Sequence, residues 1–184
     1  TGLQDCLDLE PHDRLTGILP PFHSFGLTGN VVLPTLFGIP TVYYPNPTDG
    51  LAITDTIAHY NATFLIGTPS FLNGVVRNSV KGQLDSLRTV ITGAEKCPDT
   101  VYNLLAKECP QVEVLEAYGI TECSPAIAIN PQHAAQPGTI GKVLPSMQYA
   151  IVNEQMDARV EPHASGILLV KGPNVFNGYL PPCD

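Results

Sequence analysis

Apolar and polar positions along this chain follow two rhythms that take turns. Thr41–Tyr44 (TVYY), Thr63–Gly67 (TFLIG) and Leu87–Thr92 (LRTVIT) are short runs rich in β-branched and aromatic residues, the composition of buried strands. Val112, Val114 and Leu115 open a further such run inside Gln111–Pro125. Between the runs, apolar residues recur at helical spacing. Asp49 is placed to cap a helix through Leu51–Tyr60 that turns Ile53, Ile57 and Tyr60 to one face. Thr68 as cap and Pro69 at the first helical position start another, burying Phe71, Leu72, Val75 and Val76. Pro98 opens a third, with Val101, Leu104 and Leu105 inward. Nearer the start, Ile18-Leu19 closes a short strand and Pro20-Pro21 breaks it. Gly26–Phe37 then forms an apolar helix ended by Gly38-Ile39-Pro40. Strands alternating with helices in this order predict an α/β fold, a parallel sheet flanked by helices.

Beyond Glu122 the rhythm changes. Pro137–Pro145 is a glycine-containing loop with a short strand, and Tyr149–Val152 and Gly166–Lys171 are β segments with no helix between them. They predict a small antiparallel β unit. The expected division is therefore residues 1–130 as the α/β part and 131–184 as a β-rich segment of the same domain.

Charge sharpens this picture. Charged residues make up 14% of the chain, well below the roughly 25% of average domains, so much of the surface is buried or destined to be covered. From Leu15 to Thr48 there is no Asp, Glu, Lys or Arg, but six prolines interrupt that stretch, and a spanning helix must close its own backbone bonds. It reads as a buried segment, with no transmembrane span. A net charge of −8 without any basic run argues against nucleic-acid binding. Five scattered cysteines without a CxxC pair suit reduced thiols in the cytoplasm better than a disulfide framework. The five histidines lack zinc-ligand spacing.

The candidate chemistry gathers where the fourth strand ends, at Tyr118-Gly119-Ile120-Thr121-Glu122. In an α/β sheet, ligands bind just outside the carboxyl ends of the strands. Gly119 lets the backbone turn and approach a ligand closely. Thr121 offers a hydroxyl to a phosphate oxygen, and Glu122 offers the hard carboxylate oxygen that Mg²⁺ takes beside phosphates. Tyr118 offers a ring on which a base can stack. Alone, the pentapeptide is equally a turn with a solvated Thr-Glu pair. His23, between Phe22 and Phe25, either caps the helix that follows or walls a pocket.

Five segments in order carry a resemblance. Pro21-Phe22-His23-Ser24-Phe25-Gly26, Gly93-Ala94-Glu95-Lys96, Tyr118–Glu122, Pro137-Gly138-Thr139-Ile140-Gly141-Lys142 and Gly172-Pro173-Asn174 with Gly178-Tyr179 together resemble the AMP-forming acyl-activating enzymes. The details FHSFGL, GAEK and KGPNVFNGYL are most similar to long-chain acyl-CoA and acyl-carrier-protein synthetases, including those fused to or partnered with lysophospholipid acyltransferases. The resemblance implies a ligase that joins a carboxylate to ATP, releasing pyrophosphate, and passes the acyl group to the thiol of coenzyme A or a carrier protein. It implies that Gly93, Ala94, Glu95, Lys96, Tyr118, Gly119 and Ile120 bind the nucleotide. Thr121 would hold the α-phosphate, Glu122 would ligate Mg²⁺, and His23 would stand where the acyl group enters. The amino-acid-activating relatives carry aspartate at the His23 position, so a fatty acid or other acid without an α-amino group is expected. An aryl or short-chain acyl-CoA synthetase and a non-catalytic nucleotide-binding module remain the alternatives.

The resemblance also implies parts that these residues do not include. The phosphate-binding loop ending in Pro-Lys-Gly would precede residue 1. The ribose-binding aspartate of a Thr-Gly-Asp motif would follow Tyr179, and a carboxy-terminal lid would bring the catalytic lysine. The expectation is a middle section of a longer enzyme, inactive alone, whose parent is cytoplasmic or lies at the inner face of a membrane.

Overall fold

The computed structural model describes residues 6–180; Cys183 and the closing Pro181-Pro182-Cys183-Asp184 lie outside the described residues. The sheet has seven strands in the order β2-β1-β3-β4-β5-β6-β7: β1 (Leu15–Gly17), β2 (Thr41–Tyr43), β3 (Phe64–Gly67), β4 (Thr89–Thr92), β5 (Glu113–Gly119), β6 (Ala126–Ile129) and β7 (Lys142–Val143). The first five pair in parallel and β6 and β7 pair antiparallel. The hairpin β8 (Gln148–Val152) and β9 (Ile167–Lys171) forms a separate two-stranded sheet. The predicted parallel sheet and small antiparallel unit are both present.

Side-chain alternation builds the two layers. Leu65 and Val90 point to one face and Phe64, Ile66, Ile91 and Leu115 to the other, as a period of two requires. On the first face pack α3 (Gly50–Tyr60), α4 (Pro69–Asn78) and α5 (Asp99–Glu108) through Ile53, Ile57, Leu72, Val75, Val101 and Leu105. Burying both faces is what a parallel sheet demands. The other face is covered by α2 (Leu33–Phe37), by the antiparallel strands and by Leu144 and Met147 before the hairpin. Among the described residues no helix is long and apolar enough to cross a membrane.

The helix starts follow local chemistry. Asp49 accepts the Ala52 N–H at 3.1 Å and Thr68 Oγ1 accepts the Phe71 N–H at 3.4 Å, each satisfying an orphan donor. Tyr60, expected on the buried face of α3, is exposed because the helix ends there and Asn61 turns left-handed at φ 49°. The first strand is Leu15–Gly17 rather than Ile18-Leu19; Ile18 and Leu19 are buried just past its end. The apolar helix starts with α1 (Ser24–Gly26), winds as a π turn through Leu27–Val32, and continues as α2 to Gly38 at φ 67°. The buried Asn30 side chain on the π turn reaches back to the end of β1, its amide oxygen accepting the Leu19 N–H at 2.8 Å and the Ile18 N–H at 3.1 Å, and Tyr43 donates to the Asn30 carbonyl at 2.7 Å. These tertiary bonds occupy backbone groups around the wide turn. Strand β6 is the element without a counterpart in the sequence reading.

Candidate functional site

A cavity of about 200 Å³ opens at the carboxyl ends of the strands, where an α/β fold places ligands. Four segments line it. His23, Ser24 and Phe25 come from the start of the helix after β1, and Gly93 and Ala94 from the turn after β4. Ala117–Thr121 come from the end of β5, and Pro125 and Ala126 from the start of β6. Sequence positions nearly a hundred apart are thus neighbours, because parallel strands all deliver their following loops to one edge.

His23 fulfils both expected roles. Its Nδ1 accepts the Phe25 N–H at 3.2 Å, capping α1, and the ring lines the cavity. Accepting through Nδ1 leaves Nε2 as the protonated nitrogen of the neutral ring. Phe22, by contrast, is 92% exposed, and Gly67–Phe71 stays outside the lining. Of the GAEK turn only Gly93 and Ala94 line the cavity; Glu95 accepts from Ser70 Oγ at 3.0 Å, and Lys96 is exposed. Ala94 has φ 67°, a left-handed conformation unfavourable for a residue with a Cβ and a sign of backbone held in place at a site.

The absence of a side chain at Gly119 has a cause other than ligand approach. A Cβ there would lie 2.0 Å from the Pro125 carbonyl oxygen, and the Ile120 N–H donates to that same oxygen at 3.0 Å. The irregular register at Tyr118 and Gly119 brings β6 onto β5 so tightly that only glycine fits. Gly119 nevertheless lines the cavity beside Tyr118, Ile120 and Thr121.

Thr121 and Glu122 begin a 3₁₀ turn, Thr121–Cys123, closed by Ser124 at φ 59°. Two hydroxyls from the first helix fasten it: Ser24 Oγ lies 3.1 Å from Thr121 Oγ1, and Thr28 Oγ1 donates to the Ser124 carbonyl at 3.3 Å. From the other side, the segment after β9 clasps the same turn. Asn174 Nδ2 donates to the carbonyls of Cys123 at 2.7 Å and Ala126 at 2.8 Å, and the Phe176 N–H donates to the Glu122 carbonyl at 2.9 Å. Tyr179 donates its phenol to Glu122 Oε1 at 2.5 Å. That bond, with the residue's own backbone N–H, holds the Glu122 carboxyl below the usual carboxylate range. The same bond raises the Tyr179 phenol.

The donor set fits the expected groups. Glu122 is an ionised, half-buried carboxylate one residue from a hydroxyl that lines the cavity, and Mg²⁺ beside phosphates takes only one or two protein carboxylates. Among the described residues no group of three His, Cys, Asp or Glu side chains gathers as a metal cage. Ser24, Asn174 and Tyr179 are the site residues whose roles the sequence did not disclose, although each lies within a quoted motif. Three thiols, Cys97, Cys109 and Cys123, are buried and free. Desolvation, with nearby carboxylates, pushes Cys97 and Cys109 up to about 11, so they are inert packing groups near neutrality.

A mostly parallel sheet with a cleft at its carboxyl edge, walled by a histidine, a tyrosine and two hydroxyls, has the form of a ligand-binding α/β domain. Residues 1–180 match the AMP-binding enzyme family, and the chain belongs to it. It is 32% identical over 165 residues to the long-chain-fatty-acid–CoA ligase of Salmonella typhimurium, covering 88% of this chain and 29% of that ligase. The ATP-bound RpMatB-BxBclM chimera superposes with a TM-score of 0.86 at 27% identity, over 97% of this chain and 35% of the chimera. O-succinylbenzoate coenzyme A synthetase from Bacillus subtilis, in complex with ATP and magnesium ion, shares the fold at a TM-score of 0.81 and 23% identity, over 94% of this chain and 35% of its own. The chain thus spans about three tenths of the length of the curated relatives it matches.

Proposed function

We propose that this chain forms the central part of an AMP-forming acid–thiol ligase, the section that holds the adenylate. The observation that carries the proposal is the meeting of His23, Ala94, Tyr118 and Thr121 around one cavity, with the Glu122 carboxylate beside it. In the reaction a carboxylate oxygen attacks the α-phosphorus of ATP and the bond to the β-phosphate bridge breaks, giving acyl-adenylate and pyrophosphate. A thiol then attacks the acyl carbon and AMP leaves. In-line attack on phosphorus needs positioning and charge neutralisation above all. On this reading Gly93, Ala94 and Tyr118 face the base, with Gly119 and Ile120 completing that wall and Glu95 and Lys96 continuing the turn outside it. Thr121, steadied by Ser24, donates to an α-phosphate oxygen. Glu122 would hold Mg²⁺, which would supply positive charge to offset that of the phosphates.

None of the cavity's lining residues is acidic, so a substrate ammonium would find no partner there. That supports an acid without an α-amino group, and the fatty-acid ligase among the relatives puts a fatty acid first. The same relative's name supports coenzyme A as acceptor; a carrier protein is the alternative thiol. A cytoplasmic parent that meets its lipophilic acid at a membrane face belongs to the same reading.

Calorimetric titration with a non-hydrolysable long-chain acyl-adenylate analogue and Mg²⁺ tests this, with a benzoyl-adenylate analogue and the Thr121→Ala/Glu122→Ala variant as controls. Binding that prefers the long chain and is lost in the variant is expected. Preference for the benzoyl analogue would move the assignment to aryl acids, and binding untouched by the double substitution would refute the assigned phosphate end.

A further inference from the structure

Two asparagine–glycine pairs stand in opposite surroundings. Asn73-Gly74 lies inside α4, where the Gly74 N–H belongs to the helix ladder and Asn73 Oδ1 accepts from Arg77 Nε at 3.0 Å. Asn177-Gly178 lies in the irregular segment after β9, and both residues are exposed. Among the described residues no hydrogen bond engages the Asn177 side chain or the Gly178 N–H. Gly178 has φ 123°, and no atom lies within 4 Å of where its Cβ would stand. That backbone region belongs to glycine, and the space beside it is open.

An asparagine placed this way can react with its own backbone. The Gly178 nitrogen, its proton taken by base, attacks Cγ of Asn177. An N–Cγ bond forms, the Cγ–Nδ2 bond breaks, and ammonia leaves carrying a proton back. The cyclic imide then takes up one water at either carbonyl and opens to aspartate or to isoaspartate. Water is the sole co-reactant. The reacting atoms are neighbours in the chain, so proximity comes with the sequence, and what decides the rate is whether the backbone is free to bring them together. The helix around Asn73 withholds that freedom and the segment after β9 grants it.

The exposed pair also occupies a sensitive place. On one side of it the Phe176 N–H donates to the Glu122 carbonyl at 2.9 Å, and on the other the Tyr179 phenol donates to Glu122 Oε1 at 2.5 Å. The Phe176 and Tyr179 rings meet edge to face with centroids 4.8 Å apart. Asn177-Gly178 is therefore the link between two contacts made to a single residue. Isoaspartate carries the main chain through the former side chain and lengthens that link by a methylene, and either product brings a second carboxylate near Glu122.

We propose that Asn177-Gly178 is a site of spontaneous deamidation, and that its isoaspartyl product releases Tyr179 from Glu122 and so loosens the Thr121–Cys123 turn. The modification belongs to the chain itself and needs no bound ligand.

The test is incubation of the unmodified chain in mildly alkaline buffer, followed by peptide mass spectrometry with enzymatic methyl-labelling of isoaspartate. Asn177→Gln, whose longer side chain closes an imide far less readily, is incubated beside it. The label and the amide-to-acid mass change should accumulate at the Asn177 peptide and rise with pH, and should stay absent from the Asn73 peptide and from the glutamine variant. In the aged chain the ¹³C titration of the Glu122 carboxyl should move up toward the ordinary carboxylate range, while in the glutamine variant it stays where it began. Asn177→Asp, which adds the charge without lengthening the chain, should move it less than ageing does. A peptide that keeps its amide, or converts no faster than Asn73-Gly74, overturns the site. Conversion that leaves the Glu122 titration unmoved, or an equal shift in Asn177→Asp, overturns the release by isoaspartate.

Discussion

The two ends of one sheet treat their polar groups in opposite ways. At the amino ends of the strands Asp13, 2% exposed, is fully engaged. Its Oδ2 meets Arg88 at 2.6 Å and the Glu10 N–H at 2.6 Å, while Oδ1 accepts from Thr63 Oγ1 at 2.7 Å. Arg88 also donates to the Asp8 carbonyl at 2.8 Å and lies over the Phe64 ring at 5.1 Å. At the carboxyl ends, Ser24, Thr121 and Tyr118 are exposed or half-exposed around a cavity, and Ala94 and Ser124 hold left-handed backbone. The first end is a dense polar network, satisfied but for the buried Arg88 Nε–H, and it is costly to break. The second keeps donors unfilled, and it relies on outside clasps, Ser24 and Thr28 on one side and Asn174 and Tyr179 on the other, to keep its turn in place. One edge stabilises the fold and the other receives the ligand.

The strongest way to break this contrast is at the closed end. Asp13→Ala leaves the half-buried Arg88 guanidinium with only its longer pair to Glu10 at 3.7 Å and strips acceptors from Thr63 and the Glu10 N–H. Removing one partner of a buried pair costs roughly 3–5 kcal/mol, so the urea midpoint should fall steeply, while AMP affinity of the molecules still folded stays unchanged. A comparable loss of affinity at full occupancy of the folded state would show that the two ends are coupled. Gly119→Ala is smaller in effect but falls on both sides of the contrast. Its methyl must displace the Pro125 carbonyl, 2.0 Å away, and overpacking of this kind costs roughly 1–3 kcal/mol. Because β6 would shift off Tyr118 and Thr121, AMP affinity should fall along with stability. An alanine variant as stable as the unmodified chain would mean that the two strands part easily there.

How far the sequence carried this depends on the range of each interaction. Local signals were readable: Asp49 and Thr68 as caps, Pro69 and Pro98 at helix starts, and the β-branched and aromatic runs of Thr41–Tyr44, Thr63–Gly67 and Leu87–Thr92 as strands. The site's main segments were readable too, because His23, Gly93-Ala94 and Tyr118–Thr121 each sit in a short motif at a strand end. The clasp was not. Asn174 reaches Cys123 across 51 positions and Tyr179 reaches Glu122 across 57, and nothing local to Gly172–Tyr179 points toward that turn. Strand β6 was hidden for a related reason: Ala126–Ile129 (AIAI) has no alternation of apolar and polar residues, and its partner is fixed by the Gly119–Pro125 fit. Glu116 reads as the polar member of a strand pattern, and only the fold buries it.

The gentlest test concerns the Glu122 carboxylate at the open end. Tyr179 lowers the Glu122 carboxyl and Glu122 raises the Tyr179 phenol through a single hydrogen bond. The signs follow from linkage. A depressed carboxyl contributes stability above its unfolded value and loses it as pH falls through the lower folded value. A raised phenol contributes below its unfolded value and loses it as pH rises through the higher folded one. The bond therefore supports the fold between the ordinary carboxylate and phenol ranges and fades at both extremes. Tyr179 is 73% exposed, so solvent screens the bond and its effect on global stability is far below that of Asp13. It is read locally instead, from the ¹³C shift of the Glu122 carboxyl across an acid titration. In Tyr179→Phe that titration should move up to the ordinary carboxylate range while the melting temperature near neutrality stays almost constant. A midpoint indifferent to the phenol would leave Glu122 as solvent-facing as its neighbour Thr121, and a large loss of stability would make this clasp a second closed network, erasing the contrast between the two edges.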